Sequence, residues 1–180
     1  HQESSRILEL SPMGHDINKL VDSVVEKVLS ETAVNTPKRH TPLSRMTLAA
    51  AKELAAAVEH KAAEMGVKAV VAVADEGGYT VLVECMDDAF HASYDIAVNK
   101  AYTVTALKMP TKELAVLAAP GGSLYGIQFT NGGKIVIFGG GEPLLGDGKI
   151  LGGLGVSGGT AEEDTALGEY GKTYFETKLR

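Results

Sequence analysis

Residues 67–88 read VKAVVAVADEGGYTVLVECMDD. Two runs rich in β-branched residues flank Asp75-Glu76-Gly77-Gly78, where paired glycines can take positive φ, and this predicts a β-hairpin. Apolar residues stand on both faces of the first run, so helices are expected against the sheet. Upstream, an alanine-rich helix is expected from about Thr47 to Met65, closed by Gly66 in the left-handed conformation. Downstream, Asp87 and Asp88 precede a helix from about Ala89 to Leu107, where their charges favour its N-terminal dipole. Pro110 ends that helix and Thr111 starts a short one through Ala118. KIVIFGGG, PLLGDGKI and LGGLGVSG then follow as short apolar runs between glycine turns, and Thr160 with Glu163 forms a capping box for a last helix. The order α-β-β-α-α-β-β-β-α predicts an α+β fold, an antiparallel sheet with helices packed on it.

The chain has 180 residues, is 44% hydrophobic, and carries a formal net charge of -6. At this length a domain buries enough surface to fold without covalent staples. Cys85 is the single cysteine, which excludes a disulfide within the chain and a thiolate zinc cluster. Residues 1–46 carry six basic and six acidic side chains, so the negative charge lies in the remainder. An acidic body without a basic stripe repels a phosphate backbone, and nucleic acid is excluded as an expected partner. No apolar run is long enough to span a bilayer, and the N-terminal order is not that of a signal peptide; the expectation is a cytoplasmic protein without a membrane span.

Glycine is absent from residues 15–65 and concentrated after Gly121. In the glycine-free stretch, Ile17, Leu20, Val21, Val24, Val25, Val28 and Leu29 fall at helical spacing, predicting an amphipathic helix over residues 15–31. From Thr32 to Arg45 two prolines and three threonines replace that pattern, as in a linker. The expected organisation is an extension (1–31), a flexible linker (32–46) and a domain (47–180).

The hairpin VVAVADEGGYTVLVECMD (70–87), the helix ASYDIAVNKAYTVTALKMPTKELA (92–115), the loop PGGSLYG (120–126) and the closing IVIFGGGEPLLGDGKILGGLGVSGGTAEED (135–164) resemble the GlcG/HbpS-like family. That family includes the C-terminal domain of the PduO proteins of propanediol utilisation. The resemblance implies a three-layer α/β/α fold around a central antiparallel sheet, a homo-oligomer and, as in several members, haem binding. The extension resembles the encapsulation peptides that direct proteins into bacterial microcompartments, which implies a shell or cargo protein as partner of residues 15–31 and the compartment lumen as location. Packing on its own oligomer and binding to a membrane surface are the competing uses of that helix.

Under this resemblance His91 is the candidate axial haem ligand and metal-binding residue. It precedes Tyr94, Val98 and Tyr102 on the predicted helix, with Asp95 one turn on to orient the imidazole. The alternative is a surface histidine pairing Asp95. Met86, Cys85 and Tyr94 are alternative ligands, with core packing as the competing fate of each; strand alternation places Met86 and Cys85 on opposite faces. Lys100, mid-helix, is a candidate cofactor-binding residue, with snorkelling into water as its alternative. His60 is expected in solvent. Gly153–Gly158 matches G-x-G-x-x-G, but only 22 residues follow it, too few for a dinucleotide unit, and close backbone packing in a turn is expected instead. A haem-binding accessory protein is the leading expectation. The alternatives are a small-molecule enzyme acting on a hydroxy acid or aldehyde, using Lys100 with Asp75 or Asp87, and an oligomeric scaffold.

Overall fold

The computed structural model describes residues 13–32 and 41–180, with side chains of the first segment described from residue 16 to 30. The chain divides at residues 41 and 42 into two compact units. In the first, helix α1 (Met13–Thr32) exposes Ile17, Leu20, Val21, Val24 and Val25. Residues 33–40 of the expected linker lie outside the described residues, whereas Leu43 and Met46 pack into the core of the second unit.

The second unit opens with α2 (Leu48–Glu64), whose N-cap Thr47 accepts a hydrogen bond from the Ala50 N–H at 3.1 Å. Gly66 follows at φ +72° as the left-handed stop. Strands β1 (Val70–Asp75) and β2 (Thr80–Cys85) form the expected hairpin. Asp75 Oδ1 holds its turn by accepting from the Gly77 and Tyr79 N–H groups at 2.9 and 3.0 Å. Helices α3 (Ala92–Ala106) and α4 (Thr111–Leu117) come next, then β3 (Gly141–Gly146), β4 (Lys149–Ser157) and α5 (Ala161–Tyr174). The capping box is present: Glu163 N–H donates to Thr160 Oγ1 at 3.1 Å and Thr160 N–H to Glu163 Oε1 at 3.0 Å.

The sheet order is β2-β1-β4-β3 with every pair antiparallel. Alternation along β1 sorts the core into two layers. Val71 and Val73 face α2 and α5, packing with Leu54, Val58, Leu154 and Leu167, while Val70, Ala72 and Ala74 face α3 through Ala97 and Ala101. Each fully buried Val or Leu contributes roughly 1.5–3 kcal/mol of apolar transfer energy. The α+β, three-layer architecture is the one expected.

Three local expectations differ. KIVIF (134–138) is not a strand. Ile135 and Val136 are buried, but the Val136 N–H donates to Thr103 Oγ1 on α3 at 3.0 Å instead of to a neighbouring strand. Asp87 and Asp88 do not cap α3, which starts at Ala92 with His91 in the cap position; Asp88 sits at φ +63° and pairs with Lys68 at 3.4 Å. Gly153 and Gly155 lie within β4 rather than in a turn, with α3 laid directly on their bare backbone.

Candidate functional site

β2 ends at Cys85, and the chain leaves the sheet through Met86, Asp87 and Asp88 before α3 begins. The gap between that strand end and the first turn of α3 is a cavity of about 690 Å³. Val70, Met86 and Phe90 give it apolar walls, while His91, Tyr94 and Cys85 present an imidazole, a phenol and a thiol. Phe90 and Tyr94 are 71% and 54% exposed, so the cavity mouth is a large apolar surface.

The structure therefore brings His91, Met86, Tyr94 and Cys85 together, and adds Val70 and Phe90. Met86 and Cys85 line the same cavity, contrary to strand alternation, because the pleat stops at Cys85 and Met86 belongs to the connection. Met86 Sδ accepts from the Ala69 N–H at 3.3 Å, which engages part of its donor capacity. His91 is exposed and caps nothing. Asp95 does not orient it: that carboxylate accepts from Asn99 Nδ2 at 3.2 Å, one turn further along α3. Among the described residues no group of three or more His, Cys, Asp or Glu is placed to hold a metal ion.

Lys100 stands apart from this cavity and does not snorkel. It is 0% exposed, with Nζ donating to the Val156 carbonyl at 2.7 Å and to Asp164 Oδ2 at 3.1 Å. The Phe138 ring lies 5.1 Å from the ammonium. Burial pulls the lysine pKa below its ordinary value and pushes that of Asp164 up, each opposed by its partner's charge. A Cβ on Gly140 would come within 2.7 Å of Lys100 Nζ, so the bare backbone at Gly140 is what admits the ammonium. Sequence reading found Lys100 but not its partner, since Asp164 lies 64 residues downstream. The lysine–aspartate enzyme reading loses its set: Asp75 holds the hairpin turn and Asp87 is exposed at the other end of the sheet.

His60 is exposed, its Nε2 3.3 Å from Glu64. Beside it on α2, Glu59 faces Glu84 of β2; burial first and the Glu84 carboxylate second push Glu59 up to about 7. Among the described residues no helix is long and apolar enough to cross a membrane.

Residues 46–172 match the family model described as haem degrading protein HbpS-like. A 15.0 kDa protein of the dhaT-dhaS intergenic region of Citrobacter freundii is 53% identical over 127 residues, which are 71% of this chain and 89% of that protein. The corrinoid adenosyltransferase PduO of Citrobacter freundii is 35% identical over 84% of this chain but only 45% of its own length. The solved structure of a PduOC:heme complex is 35% identical, with a TM-score of 0.69 over 72% of this chain and 94% of that one. On a match that runs from the last turn before α2 to α5, and on the shared fold, this chain belongs to the HbpS-like family.

Proposed function

We propose that the protein is a haem-binding accessory protein, with the cavity between β2 and α3 as its site. The single observation that carries this reading is one exposed imidazole at the rim of a 690 Å³ cavity whose walls include Val70, Phe90 and Tyr94. The volume falls within the ordinary range of cofactor pockets, and an axial nitrogen beside flat apolar groups is the donor set an iron tetrapyrrole needs. His91 would hold the iron, Phe90 and Tyr94 would give the macrocycle apolar contact, and Cys85 and Met86 would be the alternative soft donors. When bound, haem would supply a redox-active iron with one-electron chemistry. Relatives support the same reading: the family model carries a haem description and a 35% identical structure is a heme complex. The exposed Phe90 and Tyr94 favour a homo-oligomer in which a second copy covers the mouth.

Titrating the purified protein with haemin is expected to give a sharp Soret band with a one-to-one end point. His91→Ala should weaken binding at least ~10-fold and shift the band. Unchanged affinity and an unchanged band would remove His91 as the ligand.

For α1 the reading is a docking helix for a microcompartment shell or cargo protein. Its exposed Ile17, Leu20, Val21 and Val24 and the PduO likeness of the second unit support this. An isolated helix of this length is marginal in water and gains stability by burying such a row. Residues 1–46 fused to a fluorescent protein in a compartment-forming bacterium should give puncta that Leu20→Glu with Val24→Glu disperses; diffuse fluorescence of the parent fusion would reject targeting.

A further inference from the structure

Half of the buried polar residues of the second unit collect at one place. Ser93, Ser157 and Asp164 are 3%, 4% and 4% exposed, and Lys100 lies behind Asp164. The three line a cavity of about 260 Å³ between the first turns of α3 and α5, closed on its apolar side by Ile96 and Phe138. Phe90 lines both this cavity and the larger one, so the two adjoin there.

The hydrogen-bond inventory of this wall does not close. Ser157 and Ser93 share one bond at 3.1 Å, yet two hydroxyls carry two hydrogens, and the second has no acceptor among the described residues. Asp164 accepts from the Gly159 N–H at 2.8 Å through Oδ1 and from Lys100 through Oδ2, with the Gly158 N–H also directed at the carboxylate, which leaves one of its four lone-pair sites unclaimed. A buried donor without an acceptor, in the polar corner of a largely apolar cavity, calls for an occupant that supplies one.

We infer that this cavity is a binding site for a small neutral molecule bearing a hydroxyl on a short aliphatic body. A hydroxyl alone satisfies both needs: its oxygen accepts from the free serine hydroxyl, and its hydrogen goes to Asp164 or to a serine oxygen. Charge decides against ions. Lys100 and Asp164 cancel, Lys100 already donates to the Val156 carbonyl and to Asp164, and a carboxylate ligand would meet Asp164 without a further cation to offset it. Size decides against a tetrapyrrole: at roughly 30 Å³ per water the space equals eight or nine waters. Ile96 and Phe138 take the aliphatic part. The inference is independent of haem and stands or falls without it.

The test uses butan-2-ol, butyrate and butylammonium, followed through the backbone amide signals of Gly158, Gly159 and Ala161. Butan-2-ol is expected to shift them saturably with a dissociation constant on the order of millimolar, as for a ligand of so few atoms. The two ions should give no saturable shift. Ser93→Ala should weaken binding about fivefold or more. Ala92→Leu, which fills the cavity from its exposed rim and leaves the core untouched, should abolish binding. Linear shifts for the alcohol, equal shifts for butyrate, or unaltered binding in both variants would each overturn the assignment.

Discussion

Gly155→Ala is expected to be the most damaging single methyl group that can be added to this protein. The new Cβ would overlap the Ala97 carbonyl oxygen and come within 2.8 Å of the Ala101 nitrogen, both backbone atoms of α3. Neither can turn aside as a side-chain tip would, so α3 has to lift from β4. Overpacking of a core ordinarily costs about 1–3 kcal/mol and more where the neighbours are rigid, and about 3 kcal/mol or more is expected here. Against a total stability on the order of 5–15 kcal/mol that is a large share. For a unit of this size it lowers Tm by on the order of 10 °C. Gly132→Ala is the control, because Gly132 has positive φ (+65°) but nothing within 4 Å of its added Cβ. It should lose only the roughly 1–2 kcal/mol of left-handed strain. Urea unfolding of the two variants separates crowding from φ, and equal losses would show that α3 yields.

That same close approach marks what could be read from the residues alone. The hairpin was legible because Asp75 and two glycines make a local turn, and the last helix because its cap uses residues three apart. Both depend on neighbours in sequence. KIVIF was misread because its β-branched composition fits a strand and says nothing of Thr103, 33 residues away, which takes the Val136 N–H. The glycines of β4 were read as a turn for a similar reason. Their bareness was visible, but the helix that needs it lies about 55 residues upstream.

The site divides along the same line. His91, Met86 and Tyr94 lie within nine residues, so a single chain reversal gathers them, and the sequence shows them together. Phe90 falls in that window too, and Cys85 adjoins it. The assumption that β2 continues through Met86 hid the fact that Cys85 and Met86 share a cavity. Nothing local could join Lys100 to Asp164, or Ser93 to Ser157, each separated by 64 residues. Only the packing of α3 and α5 on β4 brings those pairs together.

Lys100→Met leaves the Asp164 carboxylate buried with the backbone N–H groups of Gly159 and Gly158 as its partners and no cation, and is expected to cost about 3–5 kcal/mol. Asp164→Asn leaves instead an ammonium held by the Val156 carbonyl, and it can shed its proton as pH rises. The buried carboxylate of Lys100→Met is relieved only by taking up a proton as pH falls. Burial already holds the Lys100 pKa below its unfolded value of 10.5, and removing the Asp164 charge lowers it further. Between the two pKa values the unfolded chain binds a proton that the folded one does not, so stability rises with pH, by at most about 1.4 kcal/mol per unit. The Asp164→Asn deficit should therefore shrink as pH rises toward 10.5, whereas the Lys100→Met deficit does not shrink with rising pH. Combining Lys100→Met with Asp164→Asn removes both charges and keeps an amide oxygen for Gly159. The double variant should be more stable than either single one at pH 7, within about 2 kcal/mol of the parent. Urea midpoints at pH 7 and 9 decide it. A Lys100→Met loss below about 1 kcal/mol, or equal pH profiles for the two single variants, would mean that water reaches the pair and that its charges are not confined by the packing of α3 against α5.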